Sequence, residues 1–209
     1  IGVNCVSQKW RSKVLTLFPE MFPGPLGLSL AGQGLRDGVW SLETENLRDH
    51  SNDRHLSVDD TPFGGGPGMV LQYEPIRKSI GSIKNTGPII YLSPQGQLLT
   101  QKKLKELSSN DNITILCGRY EGIDQRVLDE LVDEEISLGD YVISGGESAS
   151  MVMIEGISRL IPGVVDDIES VNQDSFQKGI LDYPHYTKPE EIDGLGIPEV
   201  LISGNHQKI

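Results

Sequence analysis

Cysteine is scarce in this chain. Only Cys5 and Cys117 occur, too few for a disulfide framework or a zinc site. Cys117 closes an apolar run and reads as a buried thiol. Nor is there an apolar stretch of about eighteen residues, the least a membrane-crossing helix needs. Residues 1–13 lack an apolar segment ahead of a small-residue cleavage site, so they do not read as a secretion signal. They also begin without Met, which points to an upstream extension over 1–12. A reducing, cytoplasmic setting is expected, with no membrane partner. Positive charge is in deficit: 18 Lys and Arg stand against 30 Asp and Glu, a net charge of -12. That argues against a high-affinity electrostatic scaffold for nucleic acid, which needs a basic face. Internal repeats and low-complexity tracts are missing as well.

What remains is the profile of a soluble globular protein, 37% hydrophobic and 23% charged over 209 residues. That length suits one large domain plus a small appendage. The acidic residues cluster at Asp129, Glu130, Asp133, Glu134 and Glu135 and again at Asp166, Asp167 and Glu169. Arg36, Arg48, His50, Arg54 and His55 leave room for a local basic surface in the first third.

Short apolar runs ended by breakers read as strands at Val14–Phe18, 39–47, Pro88–Leu92, Ile113–Cys117 and Glu135–Leu138. Helical segments are predicted from Pro75 to Lys84, after Thr100, from Asp124 to Val132 and from Glu147 to Leu160. This alternation predicts an α/β fold with a mostly parallel sheet. Residues 48–71, rich in Asp, Gly and Pro, read as one long loop. Residues 162–174 read as a linker, and 175–209 as a small, incomplete C-terminal unit in which Asn205 caps a last helix.

Three strands run directly into glycine-bearing loops: Tyr91-Leu-Ser-Pro-Gln-Gly96, Cys117-Gly-Arg-Tyr-Glu-Gly122 and Ser137-Leu-Gly-Asp-Tyr-Val-Ile-Ser-Gly-Gly-Glu147. Beyond the carboxyl ends of strands an open α/β sheet binds its ligands, and glycine lets backbone N–H and C=O groups approach a flat one. Single glycines in such connections are ordinary; three consecutive loops of this kind point to a cofactor pocket. Asp59-Asp-Thr-Pro-Phe-Gly-Gly-Gly-Pro-Gly-Met69 is not a phosphate loop, because Met69 and Val70 stand where Lys and Ser or Thr are required. On their residue types alone, Arg159 reads as a solvated helix-end charge and Asp174 as a helix cap.

These segments, with Leu15-Thr-Leu-Phe-Pro-Glu-Met-Phe22, Ser158-Arg-Leu-Ile-Pro-Gly163, Asp174-Ser-Phe, Asp182-Tyr-Pro-His-Tyr-Thr187 and Leu201-Ile-Ser-Gly-Asn-His206, resemble the bacterial tRNA (guanine-N1)-methyltransferases of the SPOUT class. The resemblance runs in order from about residue 13 to 209; Ser148 and Tyr183 depart from the commoner family choices. It implies a deep trefoil knot in domain 13–161, a small mainly helical tRNA-binding domain over 175–209, and a homodimer. It implies methyl transfer from S-adenosylmethionine to N1 of guanine 37 of tRNA, with Mg2+ needed for activity. Tyr91, Leu92, Ser93 and Pro94, then Gly118 and Gly122, then Leu138, Gly139, Asp140, Tyr141, Val142, Ile143, Gly145 and Gly146 would hold the cofactor. Asp174 would be the general base, Arg159 the group opposing charge on the guanine, and Glu121 the residue positioning the ion or the substrate. Other readings are a knotted methyltransferase for a different RNA base, or a non-catalytic dimeric nucleoside-binding module.

Overall fold

The computed structural model describes residues 9–165, 174–176, 179–205 and 207. The chain divides into two compact units, 1–171 and 172–209.

The first unit is built on five parallel strands, β1 (Trp10–Thr16), β2 (Trp40–Asn46), β5 (Ile89–Leu98), β6 (Asn112–Leu116) and β7 (Glu134–Ser137). Their order is β2-β1-β6-β5-β7. A two-residue antiparallel pair, β3 (Asp59–Asp60) and β4 (Val70–Leu71), stands apart from them. Helices α1 (Ser29–Arg36), α2 (Tyr73–Ser82), α3 (Gln101–Ser108) and α4 (Gln125–Leu131) fill the connections, and α5 (Gly146–Ser158) follows β7.

The two-residue period of the strands assigns their side chains to two cores. Val14, Ile90, Ile113 and Ile115 pack on one side with Ala31 of α1, Leu107 of α3 and Met153, Ile154 and Ile157 of α5. Leu15, Ile89 and Leu116 pack on the other with Ile76 and Ile80 of α2 and Val127 of α4. Each fully buried aliphatic side chain contributes about 1.5–3 kcal/mol, so a sheet covered on both faces is the favourable arrangement. Local signals start the helices: Thr100 Oγ1 accepts from Lys103 N at 3.2 Å, and Asp124 Oδ1 from Arg126 N at 3.0 Å. Pro75 falls in the first turn of α2, where its missing N–H costs nothing.

Four sequence expectations change. β1 starts at Trp10, so residues 10–12 belong to the sheet rather than to an extension over 1–12; Trp10 stands opposite Trp40 with ring centroids 6.3 Å apart. Residues 1–8 lie outside the described ones. Helix α1 was not expected, because Gly32 and Gly34 weaken it. Both glycines are required by close packing: a Cβ on Gly32 would lie 2.2 Å from the Gly27 carbonyl, and one on Gly34 2.9 Å from Val164 Cγ2. The long loop of 48–71 is interrupted by β3 and β4. And β5 does not stop at Leu92 but runs to Leu98, through a register shift between Leu92 and Gln97 against β7.

Residues 166–173 of the expected linker lie outside the described ones, as do His206, Lys208 and Ile209 of the helix expected after Asn205. In the second unit, β8 (Glu191–Ile192) and β9 (Leu195–Gly196) form a hairpin turned by Asp193 and Gly194, both at positive φ, as a two-residue turn of this hand demands. A four-residue helix, α6 (Glu199–Ile202), follows, so the helical share among its described residues is one turn. Asp174 precedes a turn in which Phe176 N donates to Ile180 O at 2.8 Å; no described helix is capped by it.

Candidate cofactor pocket

The carboxyl ends of β5, β6 and β7 open into a cavity of about 490 Å3, within the range of small-molecule sites. All three glycine-bearing loops line it. Of the residues assigned to the cofactor on sequence, 91–94, 118, 122, 138, 139, 141–143, 145 and 146 line the cavity and Asp140 does not; Glu121 joins them at the rim.

Each loop is shaped by a close approach. A Cβ on Gly118 would lie 2.7 Å from the hydroxyl of Tyr91, and one on Gly146 2.8 Å from Cys117 Cα. Gly122 and Gly139 sit at φ +133° and +153°, where side chains are strained. Tyr120 takes φ +60° without being glycine, a backbone conformation that tends to mark functional turns. Gly146 N donates to Gly118 O at 3.0 Å, tying the second loop to the third at the start of α5.

The wall is chemically mixed. Ile136 and Ala149 offer apolar surface, and Tyr91 is 7% exposed. Burial, then the charge of Glu135, pushes the Tyr91 phenol up to about 12, so it stays a neutral donor at physiological pH. Glu135 also lines the cavity, and its Oε1 is buried without a hydrogen-bond partner. A buried acceptor left without a donor costs about 1–3 kcal/mol. Burial, then the charge of Glu147, raises the pKa of the Cys117 thiol strongly, which keeps it protonated and unreactive.

The glycine-rich segment of 59–69, unassigned by spacing arguments, is fastened to this site. Glu121 N donates to Met69 O at 3.0 Å, and Leu71 N to Gly122 O at 3.0 Å. A Cβ on Gly68 would lie 2.4 Å from Glu121 Cγ, so the turn rests on the Glu121 side chain. Phe63 at its tip is fully exposed.

Arg159 is the C-cap of α5, exposed, and about 20 Å along the helix axis from Gly146 at 1.5 Å per residue. It is not among the residues lining the cavity. Asp174 belongs to the second unit. Sequence reasoning passed over Arg119, Glu135, Ile136, Gln125 and Leu128, which also line the cavity. Arg119 stood inside a motif already singled out, and Glu135 and Ile136 in the strand feeding the third loop. Gln125 and Leu128 come from α4, and only the packing of α4 brings them there. Among the described residues no group of three or more His, Cys, Asp or Glu is arranged to hold a metal ion, and no helix is long and apolar enough to cross a membrane.

The pocket gives a direct expectation. Gly118→Val should weaken binding of the methyl donor that the sequence resemblance implies, S-adenosylmethionine, by at least about tenfold, because its side chain must displace the buried Tyr91 ring. Titration calorimetry on a variant of unchanged circular dichroism checks it; wild-type affinity would move the ligand elsewhere.

A parallel α/β sheet with a glycine-shaped, part-apolar pocket beyond its carboxyl edge defines a protein built to hold a nucleoside-sized ligand. The family model for tRNA (Guanine-1)-methyltransferase TrmD matches residues 10–209. The tRNA (guanine-N(1)-)-methyltransferase of Rhodospirillum rubrum is 54% identical over 200 residues, covering 95% of this chain and 84% of that protein. That of Vibrio vulnificus strain YJ016 is 48% identical over 200 residues, covering 94% and 80%. The crystal structure of tRNA (m1G37) methyltransferase from Aquifex aeolicus superposes with a TM-score of 0.78 at 38% identity, covering 95% of this chain and 85% of that one. The chain belongs to the tRNA (guanine-1)-methyltransferase family.

Proposed function

We propose that this protein transfers a methyl group from S-adenosylmethionine to N1 of guanine 37 of tRNA. The observation that carries the reading is the pocket: three glycine loops from consecutive strands around one cavity, the second and third tied by a hydrogen bond, in a member of this family. The residues suit the donor. Tight glycines leave room for a flat base beside backbone groups. S-adenosylmethionine supplies an electrophilic methyl on a sulfonium. Threading of the loop segments through one another as a trefoil knot, which the family resemblance implies, would hold them in one shape.

Guanine N1 carries a proton and is a poor nucleophile. Asp174 would accept that proton as N1 takes the methyl, the donor's sulfonium keeping the S–C electron pair and leaving as a neutral thioether. Charge released onto guanine O6 is met by the Arg159 guanidinium. The target base leaves its stack to reach the pocket. Since Arg159 stands ten residues past Ala149, the last pocket-lining residue of α5, and so about 15 Å from it along the helix axis, a homodimer in which the second copy brings Arg159 and Asp174 to this pocket satisfies the chemistry. Magnesium, which favours few carboxylates with water and phosphate ligands, would rest on Glu121, a single carboxylate at the rim. There it would neutralise charge on the substrate. The second unit supplies tRNA contacts, and a cytoplasmic setting fits the substrate.

The deciding experiment is methyl transfer to tRNA transcripts with guanine or another base at position 37. Transfer confined to the guanine transcript, with N1-methylguanosine recovered by digestion and mass spectrometry, supports the reading. Equal transfer to both would favour a different RNA site, and none with donor bound would favour a binding module.

A further inference from the structure

Beneath the pocket floor lies an ion pair that the proposed chemistry does not use. Glu147, in the first turn of α5, is fully buried, and a carboxylate so deep in a protein requires compensation. Two side chains supply it. Thr16 Oγ1, at the carboxyl end of β1, donates to Glu147 Oε1 at 2.6 Å. Arg119 Nη2 lies 2.9 Å from Glu147 Oε2, close enough for an ion pair although its angle falls short of a hydrogen bond. The same guanidinium turns upward: Nη1 donates to Ser144 O at 3.2 Å, and its carbon sits 4.4 Å over the Phe18 ring. Arg119 therefore touches β1's exit, the second loop and the third loop together. Gly145 is glycine for this reason, since a Cβ there would lie 2.3 Å from Arg119 Nε.

We infer that Glu147 is a positioning residue: it holds Arg119 from below, and Arg119 holds the Ser144–Gly145 backbone in the shape that receives the methyl donor. The inference rests on the reading of the cavity as the S-adenosylmethionine site. The physical argument is one of rigidity. The third loop, from 139 to 145, is a run of half-buried and exposed residues that would otherwise rest on few contacts of its own. A guanidinium anchored in a dry floor gives it one fixed peptide, and the ordering is settled before ligand arrives. Glu147 itself is absent from the residues lining the cavity, so it acts through Arg119 and not by contact.

The test is titration calorimetry of the full chain with S-adenosylmethionine and its demethylated product, on wild type, Glu147→Gln, Arg119→Lys and the double variant. Glutamine preserves the volume and an acceptor for Thr16 but presents no charge to Arg119; lysine preserves the charge but cannot fork to both Ser144 and Glu147. Each single variant should bind roughly tenfold more weakly, the scale of one hydrogen bond to a charged group. The double variant should also lose about tenfold and not a hundredfold, because both changes break one chain of contacts. In turnover assays KM for the donor should rise while kcat stays within about threefold. Additive losses in the double variant, or Glu147→Gln binding as tightly as wild type, overturn the proposal. If Glu147→Gln does not fold, Arg119→Lys decides alone: undiminished affinity at unchanged melting temperature overturns it. Failure of the wild-type chain to bind either compound would instead sink the cofactor reading beneath it.

Discussion

Asp174→Ala is expected to lose about 10²- to 10⁴-fold in methyl transfer, the range a positioned general base contributes, while binding S-adenosylmethionine as tightly as wild type. The separation follows from the architecture. The cavity read as the donor's site is built from 91–95, 118–123, 125, 128, 135–139, 141–146 and 149, all in the first unit. Asp174 belongs to the second. Single-turnover transfer to a guanine-37 transcript, beside calorimetry with the donor, reads both quantities. Activity within about threefold of wild type would remove Asp174 from the mechanism. The same variant tests the composite site. Mixed with a Gly118→Val protein, it should regain activity as heterodimers form, because one of the two pockets then has both an intact floor and an intact base. No rescue in confirmed heterodimers would return the whole site to a single chain.

Gly96→Ala should be the most damaging small substitution in the sheet, costing roughly 3 kcal/mol or more and lowering the melting temperature by roughly 6–12 °C. Gly96 lies where β5 shifts register against β7, and its Cβ would sit 2.4 Å from both Glu135 C and Ile136 N. These are backbone atoms of β7, so no rotamer change relieves the clash and the two strands must part. Parting them breaks the bond from Leu99 N to Ser137 O, 2.7 Å long, and displaces Ile136 and Leu138 from the pocket wall. Cofactor affinity should fall with stability. Gly81→Ala is the control: a Cβ there meets nothing within 4 Å, and alanine in a helix is favoured over glycine by about 1 kcal/mol. Denaturant unfolding of both variants checks the pair. Equal stabilities would mean that the β5–β7 junction tolerates a side chain.

Much of the fold could be read from period and punctuation. The apolar runs that became β6 and β7, the Thr100 and Asp124 caps and the long apolar helix after Gly146 are local features, and local physics suffices for them. The glycine loops were legible as a pocket for a related reason: a glycine directly after a buried strand, recurring three times, marks backbone that must be approached closely. Helix α1 was not legible, since its glycines argue against a helix until Gly27 and Val164 are seen against them. Nor were the first residues of β1, where polar Arg11, Ser12 and Lys13 hide a strand that Trp10 and Trp40 stabilise by meeting across it.

By itself the sequence determined the class of fold, the family and the set of strand-end loops that line the pocket, because each is written in short stretches whose meaning does not depend on distant residues. Only the tertiary structure decided how those stretches meet. It brought Met69 onto Glu121 and Thr16 onto Glu147, 131 positions apart. It also put Arg159 about 15 Å along α5 from Ala149, the last residue of that helix to line the pocket. Such contacts come from which strands lie side by side and which side chains share a dry interior. Spacing along a chain does not encode that.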